Sequence, residues 1–317
     1  MALLPLITEK ERINKMKDEQ RIKNLSVPTG KVDVILDTDA YNEIDDQFAI
    51  AYLLKNKWKL NTKAFYAVPF HNGLSCGPED GMEKSYNEIL KLLKMMNEDV
   101  PVFKGSRTYL KDEKTPVVSD AASDLVERAK QYSPENPLYV VAIGAITNIA
   151  SAILLDPSIV ENIVVVWLGG HALHYHDTVE FNMKQDVAAA RVVMGSGVPL
   201  IQLPCEGVVS EFKLSKPELE YWLKGKNELA DYLAVNTIDH AESYASGIPW
   251  TRVIWDVTAV AWLLNEGSQF MDWRVIPTRL PAYDGTYEAN DNDVPMTYVY
   301  HIRRDWLMND LLKKLGN

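Results

Sequence analysis

Five acidic side chains fall within ten residues of this chain: Asp37, Asp39, Glu43, Asp45 and Asp46, in "DTDAYNEIDD". They follow directly on an apolar run, "KVDVIL", that reads as the start of a buried strand. Like charges at this density repel unless something neutralises them. A hard cation does so, and Ca²⁺ in particular accepts 6–8 oxygen ligands. A carboxylate left off the metal is then free to act as general base toward a water. Three other readings compete. An EF-hand loop needs glycine at its sixth position, which counted from Asp37 is Asn42, and a Glu near its end, where Gln47 and Phe48 stand. A phosphotransferase with an aspartyl nucleophile also begins Asp-x-Asp after a strand, but continues with Gly and Thr or Val rather than Ala40 and Tyr41. A plain acidic first helical turn, favoured by the helix dipole, accounts for Asp45 and Asp46 but not for Asp37 and Asp39. A second cluster, "HALHYH" (His171, His174, His176), offers nitrogen ligands for zinc. It follows a double glycine, so a pocket lid or a plain loop stand beside the zinc reading.

The elements that would hold these groups alternate along the chain. "VDVIL", "KAFYAVPF", "VPVFKG", "LYVVAIG", "IVVVWLGG" and "PLIQLP" read as strands, several almost continuously apolar and therefore covered on both faces. Between them "DQFAIAYLLKN", "EKSYNEILKLLKMMN", "SDAASDLVERAKQY", "AITNIASAILL" and "DVAAARVVMG" carry helical periodicity. The region from about 210 to 265 reads as predominantly helical, and "TYVYHIRRDWLMNDLLKKL" as a strand entering a final helix. Such alternation specifies an α/β fold: a single domain with a mostly parallel central sheet and helices on both faces, Rossmann-like. Residues 1–30 are expected as an N-terminal helical extension, with a charged, exposed helix over 9–24, and 31–317 as the main domain. In such sheets ligands sit beyond the carboxyl ends of the strands, where the acidic cluster and the glycine turns belong.

The bulk numbers narrow the partners. A formal net charge of -11 and a pI near 5.1 disfavour nucleic acid and anionic membrane, both of which reward a basic surface. No stretch approaches the ~20 apolar residues of a membrane helix. Cys76 and Cys205 have neither metal nor disulfide spacing and read as free thiols. The N-terminus lacks the basic start and small-residue cleavage site of a secretory signal, so a cytoplasmic location is expected.

At this point the chain resembles a known family, the inosine-uridine-preferring nucleoside hydrolases (nucleoside N-ribohydrolases). "DTDAYNEIDDQFAIAYLL" is similar to their metal signature, usually Asp-x-Asp-Pro-Gly-x-Asp-Asp. "VVAIGAITNIASAI" resembles their Gly-x-Leu-Thr-Asn-Ile-Ala segment. "WLGGHALHYHDTVEFNMKQDVAAARVV" resembles their Gly-Gly…Glu-Phe-Asn…Asp-x-x-Ala-Ala run, and "VIWDVTAVAWLL" the segment with their last metal aspartate. The four blocks occur in order between residue 31 and about 265.

The resemblance implies the nucleoside hydrolase fold and Ca²⁺-dependent cleavage of a ribonucleoside to ribose and free base. It implies a Ca²⁺ held by Asp39, Asp46, Asp256 and the backbone carbonyl of Ile143, with Asp37 supporting from behind. Asp45 would be the general base, and Asn72, Glu180 and Asn182 would bind the ribose. If the backbone is extended there, Glu180 and Asn182 share one face. A homodimer or homotetramer is the family's common assembly. Two departures stand out. "AYNEI" is longer than the usual Pro-Gly-x, which adds Asn42 and Glu43 near the ligand, Glu43 either facing it or bracing the loop. The family's frequent histidine before the last aspartate is here Trp255, which can stack on a base but cannot protonate it. A further family histidine, usually in an Ile-His-Gly segment, is also missing, with "VVSDAAS" standing roughly there. Candidates for the lost acid are His71 and the three histidines of "HALHYH", since histidine titrates near pH 6.5. A nucleoside-binding protein without turnover is the rival from another class.

Overall fold

The computed structural model describes residues 19–289 and 294–317. Its centre is an eight-stranded sheet. The strands in chain order are β1 Val32–Thr38, β2 Leu60–Ala67, β3 Val102–Lys104, β4 Leu138–Ala142, β5 Ile163–Leu168, β6 Leu200–Leu203, β7 Lys213–Ser215 and β8 Thr251–Val253. They continue with β9 Met271–Pro277, β10 Arg279–Pro281, β11 Tyr287–Ala289 and β12 Pro295–Ile302. The large sheet runs β3-β2-β1-β4-β5-β6-β12-β9. Every neighbouring pair is parallel except β12 with β9, which closes one edge antiparallel. β7 pairs with β8, and β10 with β11, in two small antiparallel ribbons.

The expected α/β architecture is present. The stretch from 210 to 265 is predominantly helical, as expected, and the β7–β8 ribbon frames its helices Lys216–Trp222 and Glu228–Ala245. The antiparallel β9 and the β10–β11 ribbon had no signal strong enough to be read, because β9 is half-exposed and β10 and β11 are three residues each. The expected helix over 9–24 is described only from residue 19. Residues 19–24 are helical and tied to the domain: Asn24 Nδ2 donates to the Pro134 carbonyl at 2.9 Å, and Thr297 Oγ1 donates to the carbonyl of the following Leu25 at 2.5 Å.

Strand alternation splits the core across the sheet. Val34, Leu36, Tyr139 and Val141 face one side with the helices Asp45–Leu54, Pro78–Met96, Val257–Trp262 and Arg304–Leu315. Ile35, Leu138, Val140 and Ala142 face the other, with Asp120–Ala129, Thr147–Leu155 and Val187–Gly195. Burial on both faces explains why β4 and β5 are apolar throughout. Among the described residues no helix is long and apolar enough to cross a membrane.

The chain leaves β1 toward β2 and β3 on one side, and continues from β4 toward β5 and β6 on the other. The strand order therefore reverses between β1 and β4, the place where an open sheet offers a crevice at its carboxyl edge. Asp37 is paired in register with Ala142 there, and the Ile143 N–H donates to the Asp37 carbonyl at 2.9 Å.

Candidate active site

Two wholly buried helices deliver most of the acidic cluster. Asp45–Leu54 follows the loop after β1, and all ten of its residues are buried, including the polar Asp45, Asp46 and Gln47 ahead of the apolar run from Phe48. Asp45 and Asp46 occupy its first turn. Val257–Trp262 is likewise buried throughout, and Asp256 is its N-cap residue. Both helices present the positive ends of their dipoles to these carboxylates. One oxygen from each of Asp45, Asp46 and Asp256 can be chosen so that all three lie within 4.8 Å of one another. Among the described residues this is the one group of three acidic, His or Cys side chains so placed. The three histidines of "HALHYH" form no such group: His174 and His176 are exposed.

Asp39, at the end of the crevice, is fully buried, and neither of its carboxylate oxygens has a hydrogen-bond partner. A buried carboxylate without donors is costly unless a cation meets it. The Gly144 turn makes room for it. A Cβ at that position would stand 2.8 Å from Asp39 Oδ1 and 2.9 Å from a Val68 methyl, so only glycine lets the backbone after β4 come this close. Ile143, one residue earlier, lines the adjoining cavity, and its carbonyl accepts from Asn182 Nδ2 at 3.2 Å. Asp39, Asp46, Asp256 and this carbonyl all offer oxygen, the donor a hard divalent cation takes, while the three carboxylates that meet within 4.8 Å are those of Asp45, Asp46 and Asp256.

Burial pushes the Asp39, Asp46 and Asp256 carboxyls well above the ordinary carboxylate range, and the charges of their acidic neighbours push the same way. Asp46 is partly relieved by the Thr38 hydroxyl, which donates to it at 2.5 Å. Asp45 is raised to about 7, mainly by burial and then by the charge of Glu43, against the opposing pull of Arg252. A cation among these groups reverses the direction, because it favours their charged forms. Asp37 stands behind them, fully buried and absent from the cavity lining. Burial raises it to about 8, opposed by the Asn148 amide that donates to its Oδ1 at 2.8 Å. A carboxylate so enclosed is not an exposed nucleophile, which the phosphotransferase reading requires.

A cavity of about 280 Å³ opens over the cluster. That is close to the ~300 Å³ lower bound typical of small-molecule sites. Asp45, Asp256 and Ile143 reach it from the metal side, and Asn72, Glu180 and Asn182 from the others. The expected extended backbone at Glu180–Asn182 is not found. Glu180 is the N-cap of a short helix, Phe181–Gln185, and its carboxylate accepts from the backbone N–H groups of Gly170, Asn182 and Met183 at 2.9–3.0 Å. The two side chains still meet the cavity, because the cap folds Glu180 back over the first turn. Asn182 Nδ2 also donates to the Leu168 carbonyl at 3.0 Å, so its Oδ1 is the atom left for a ligand.

The residues of the longer loop are both pinned. Asn42 Oδ1 accepts from Asn72 Nδ2 at 2.6 Å, and Glu43 pairs with Arg252 at 2.7 Å. Both line the cavity, so Glu43 faces the ligand space and braces the loop at once. Trp255 lines the cavity as well, whereas Tyr41 and Tyr175 are exposed and Trp250 lies elsewhere, donating from Nε1 to Glu242. Of the histidines, His171 lines it, with a buried Nδ1 that has no partner. His71 and His174 stand outside the lining. His71 is exposed, its backbone N–H donating to Gln185 at 2.7 Å, and His174 is exposed beside Tyr175. Cys205, Glu206 and Phe181 also line the cavity and had no sequence signal beyond lying near a strand end or a motif. Arg252 was equally silent: nothing in "TRVIWD" announces that β8 aims it at a loop 209 residues away.

Comparison with known proteins identifies the family. The model of the family "Inosine-uridine preferring nucleoside hydrolase" matches residues 34–299. The non-specific ribonucleoside hydrolase RihC of Salmonella typhimurium is 28% identical over 262 residues, covering 75% of this chain and 80% of the relative. Among solved structures, the purine-preferring ribonucleoside hydrolase of Gardnerella vaginalis superposes with a TM-score of 0.73 at 19% identity, over 90% of this chain and 98% of that one. The type III effector protein XopQ, solved in complex with adenosine diphosphate ribose, has a TM-score of 0.69 at 16% identity, over 98% and 99%. At these identities the two structures speak to the fold, while the family model spans the acidic loop, the glycine turns and the last aspartate together. The chain belongs to the inosine-uridine preferring nucleoside hydrolase family, and is an N-glycosyl hydrolase.

Proposed function

We propose that the protein uses water to split a ribonucleoside into ribose and free base at a Ca²⁺ site formed by Asp39, Asp46, Asp256 and the Ile143 carbonyl. The observation that carries this is Asp39, buried with both oxygens unpartnered beside the Asp45–Asp46–Asp256 group under a ligand-sized cavity. When bound, the cation supplies the charge that polarises the attacking water and grips the ribose hydroxyls.

Asp45 holds the other half of the chemistry. It lines the cavity within reach of the Asp46 and Asp256 carboxylates, so it is placed to take the proton of the attacking water. As the C1′–N bond lengthens, the sugar gains oxocarbenium character, and the surrounding carboxylates favour that positive charge. Asn72, Asn182 and Glu180 orient the ribose, Glu180 rigidly because three backbone N–H groups hold it. Trp255 offers its ring to the base. No Lys or Arg is among the residues lining the cavity, which favours an unphosphorylated riboside over a ligand such as the adenosine diphosphate ribose seen with XopQ.

The test is ribose release from a panel of purine and pyrimidine ribonucleosides with Ca²⁺ present, wild type beside Asp45→Asn. Release that collapses in the variant supports the reading. Calorimetric binding of nucleosides without release by wild type would sink it.

A further inference from the structure

The charge of the cavity is lopsided. Glu43, Asp45, Glu180, Glu206 and Asp256 all contribute carboxylates to its lining, and His171 is the one side chain there able to carry positive charge. The guanidinium of Arg252 is engaged by the lining residue Glu43 and by the Tyr244 hydroxyl. Glu180 is satisfied by its backbone donors, and Asp45 and Asp256 belong to the metal side. Glu206 differs: its carboxylate has no hydrogen-bond or ion-pair partner among the described residues, although its carbonyl accepts from Ala172. A partly buried, unpaired carboxylate on a residue that lines a ligand space is available to a positive group. Trp255 lines the same space, and an indole ring attracts cations to its face through its quadrupole.

Resting on the ribohydrolase reading above, we propose that the preferred substrates are ribosides whose base is a quaternised, positively charged ring, of the N-ribosylpyridinium or N7-alkylpurinium class, with Glu206 and Trp255 reading the charge. The chemistry agrees with Trp255 occupying a position where a proton donor would otherwise help a neutral base depart. In a cationic riboside the C1′–N bond breaks and its electron pair passes to the ring nitrogen, which loses its positive charge. The water oxygen bonds to C1′, and the water's proton goes to Asp45. The base departs neutral, so no general acid is required. A neutral base must either leave as an anion among carboxylates or find a proton.

The experiment measures kcat/KM with Ca²⁺ for nicotinamide riboside and 7-methylguanosine against uridine and guanosine, each divided by its uncatalysed hydrolysis rate. Wild type, Glu206→Gln and Glu206→Asp are compared. Wild type is expected to favour the cationic pair after normalisation. Glu206→Gln is expected to shrink that preference by about 3–10-fold, the size of one carboxylate or ring contact to a cation, and Glu206→Asp to restore most of it. A merely structural role for Glu206 would lower all four substrates together and leave the ratio unchanged, and that result overturns the proposal. Equal or better normalised hydrolysis of the neutral nucleosides by wild type also overturns it, while leaving the ribohydrolase reading intact. Failure to hydrolyse any of the four removes both.

Discussion

The floor and the rim of the cavity are built differently. The floor hangs on the end of β1, the turn after β4 and the first turns of two helices buried along their whole length. Its groups are fixed by secondary structure, and Asp39 is left without partners inside that rigid frame. The rim comes from loops: the longer metal loop with Asn42 and Glu43, the histidine loop after β5, the Cys205–Glu206 turn after β6, and Trp255. Its polar groups are mostly satisfied by one another, as in the Asn42–Asn72 and Glu43–Arg252 contacts. The lesson is one of division. Chemistry that demands fixed geometry sits on elements that cannot move independently of the core, and selectivity sits where a loop can change without disturbing the sheet.

The contrast is sharpest in the substitutions that should matter most. Asp46→Asn is expected to abolish Ca²⁺ binding by calorimetry and to reduce ribose release to background. Retained binding would place the cation elsewhere. Next in size, Asp45→Asn is expected to lower kcat by about 10²–10⁴-fold, the usual worth of a general base, with Ca²⁺ binding kept. Equal loss of binding would make Asp45 a ligand rather than a base. On the rim the effects should be smaller and fall on KM. Trp255→Ala is expected to raise KM by about 3–10-fold, the scale of an aromatic contact, with kcat for a good leaving group little changed.

The smallest effect concerns Asp37, behind the floor. Its carboxyl is raised from 3.8 to about 8, so the folded state holds a proton that the unfolded chain releases above pH ~4. Its contribution to stability is therefore fully present below pH ~4 and is lost as pH rises toward 8. Asp37→Asn, which can still accept the Asn148 amide, should flatten the fall of Tm over that window in cation-free protein. An unchanged slope would mean that other groups carry it.

Much of the floor was legible in the one-dimensional pattern. An acidic run placed directly after an apolar strand already put Asp45 and Asp46 at a strand end, whereas Asp256 was legible only through the family resemblance of "VIWDVTAVAWLL". The rim was only half legible. Its longer loop was visible as an insertion, but Glu43's partner was not, because Arg252 lies on a three-residue strand with no periodicity to read. Among the histidines, residue type alone cannot separate His171 from His174, which sit three residues apart and differ only in which way the loop turns them.

The sequence by itself determined the layer architecture, the parallel order of a buried sheet and the chemistry of the floor. Continuous apolar strands are stable between two helical layers, and clustered carboxylates must be neutralised by protonation or by a cation. The tertiary structure alone decided what surrounds the ligand. It folded Glu180 into a helix cap rather than an extended strand, brought Arg252 to Glu43, and placed Glu206 in the cavity lining. These are contacts between loops distant along the chain. They depend on where rigid elements place the loop ends, and no local propensity encodes that distance or direction.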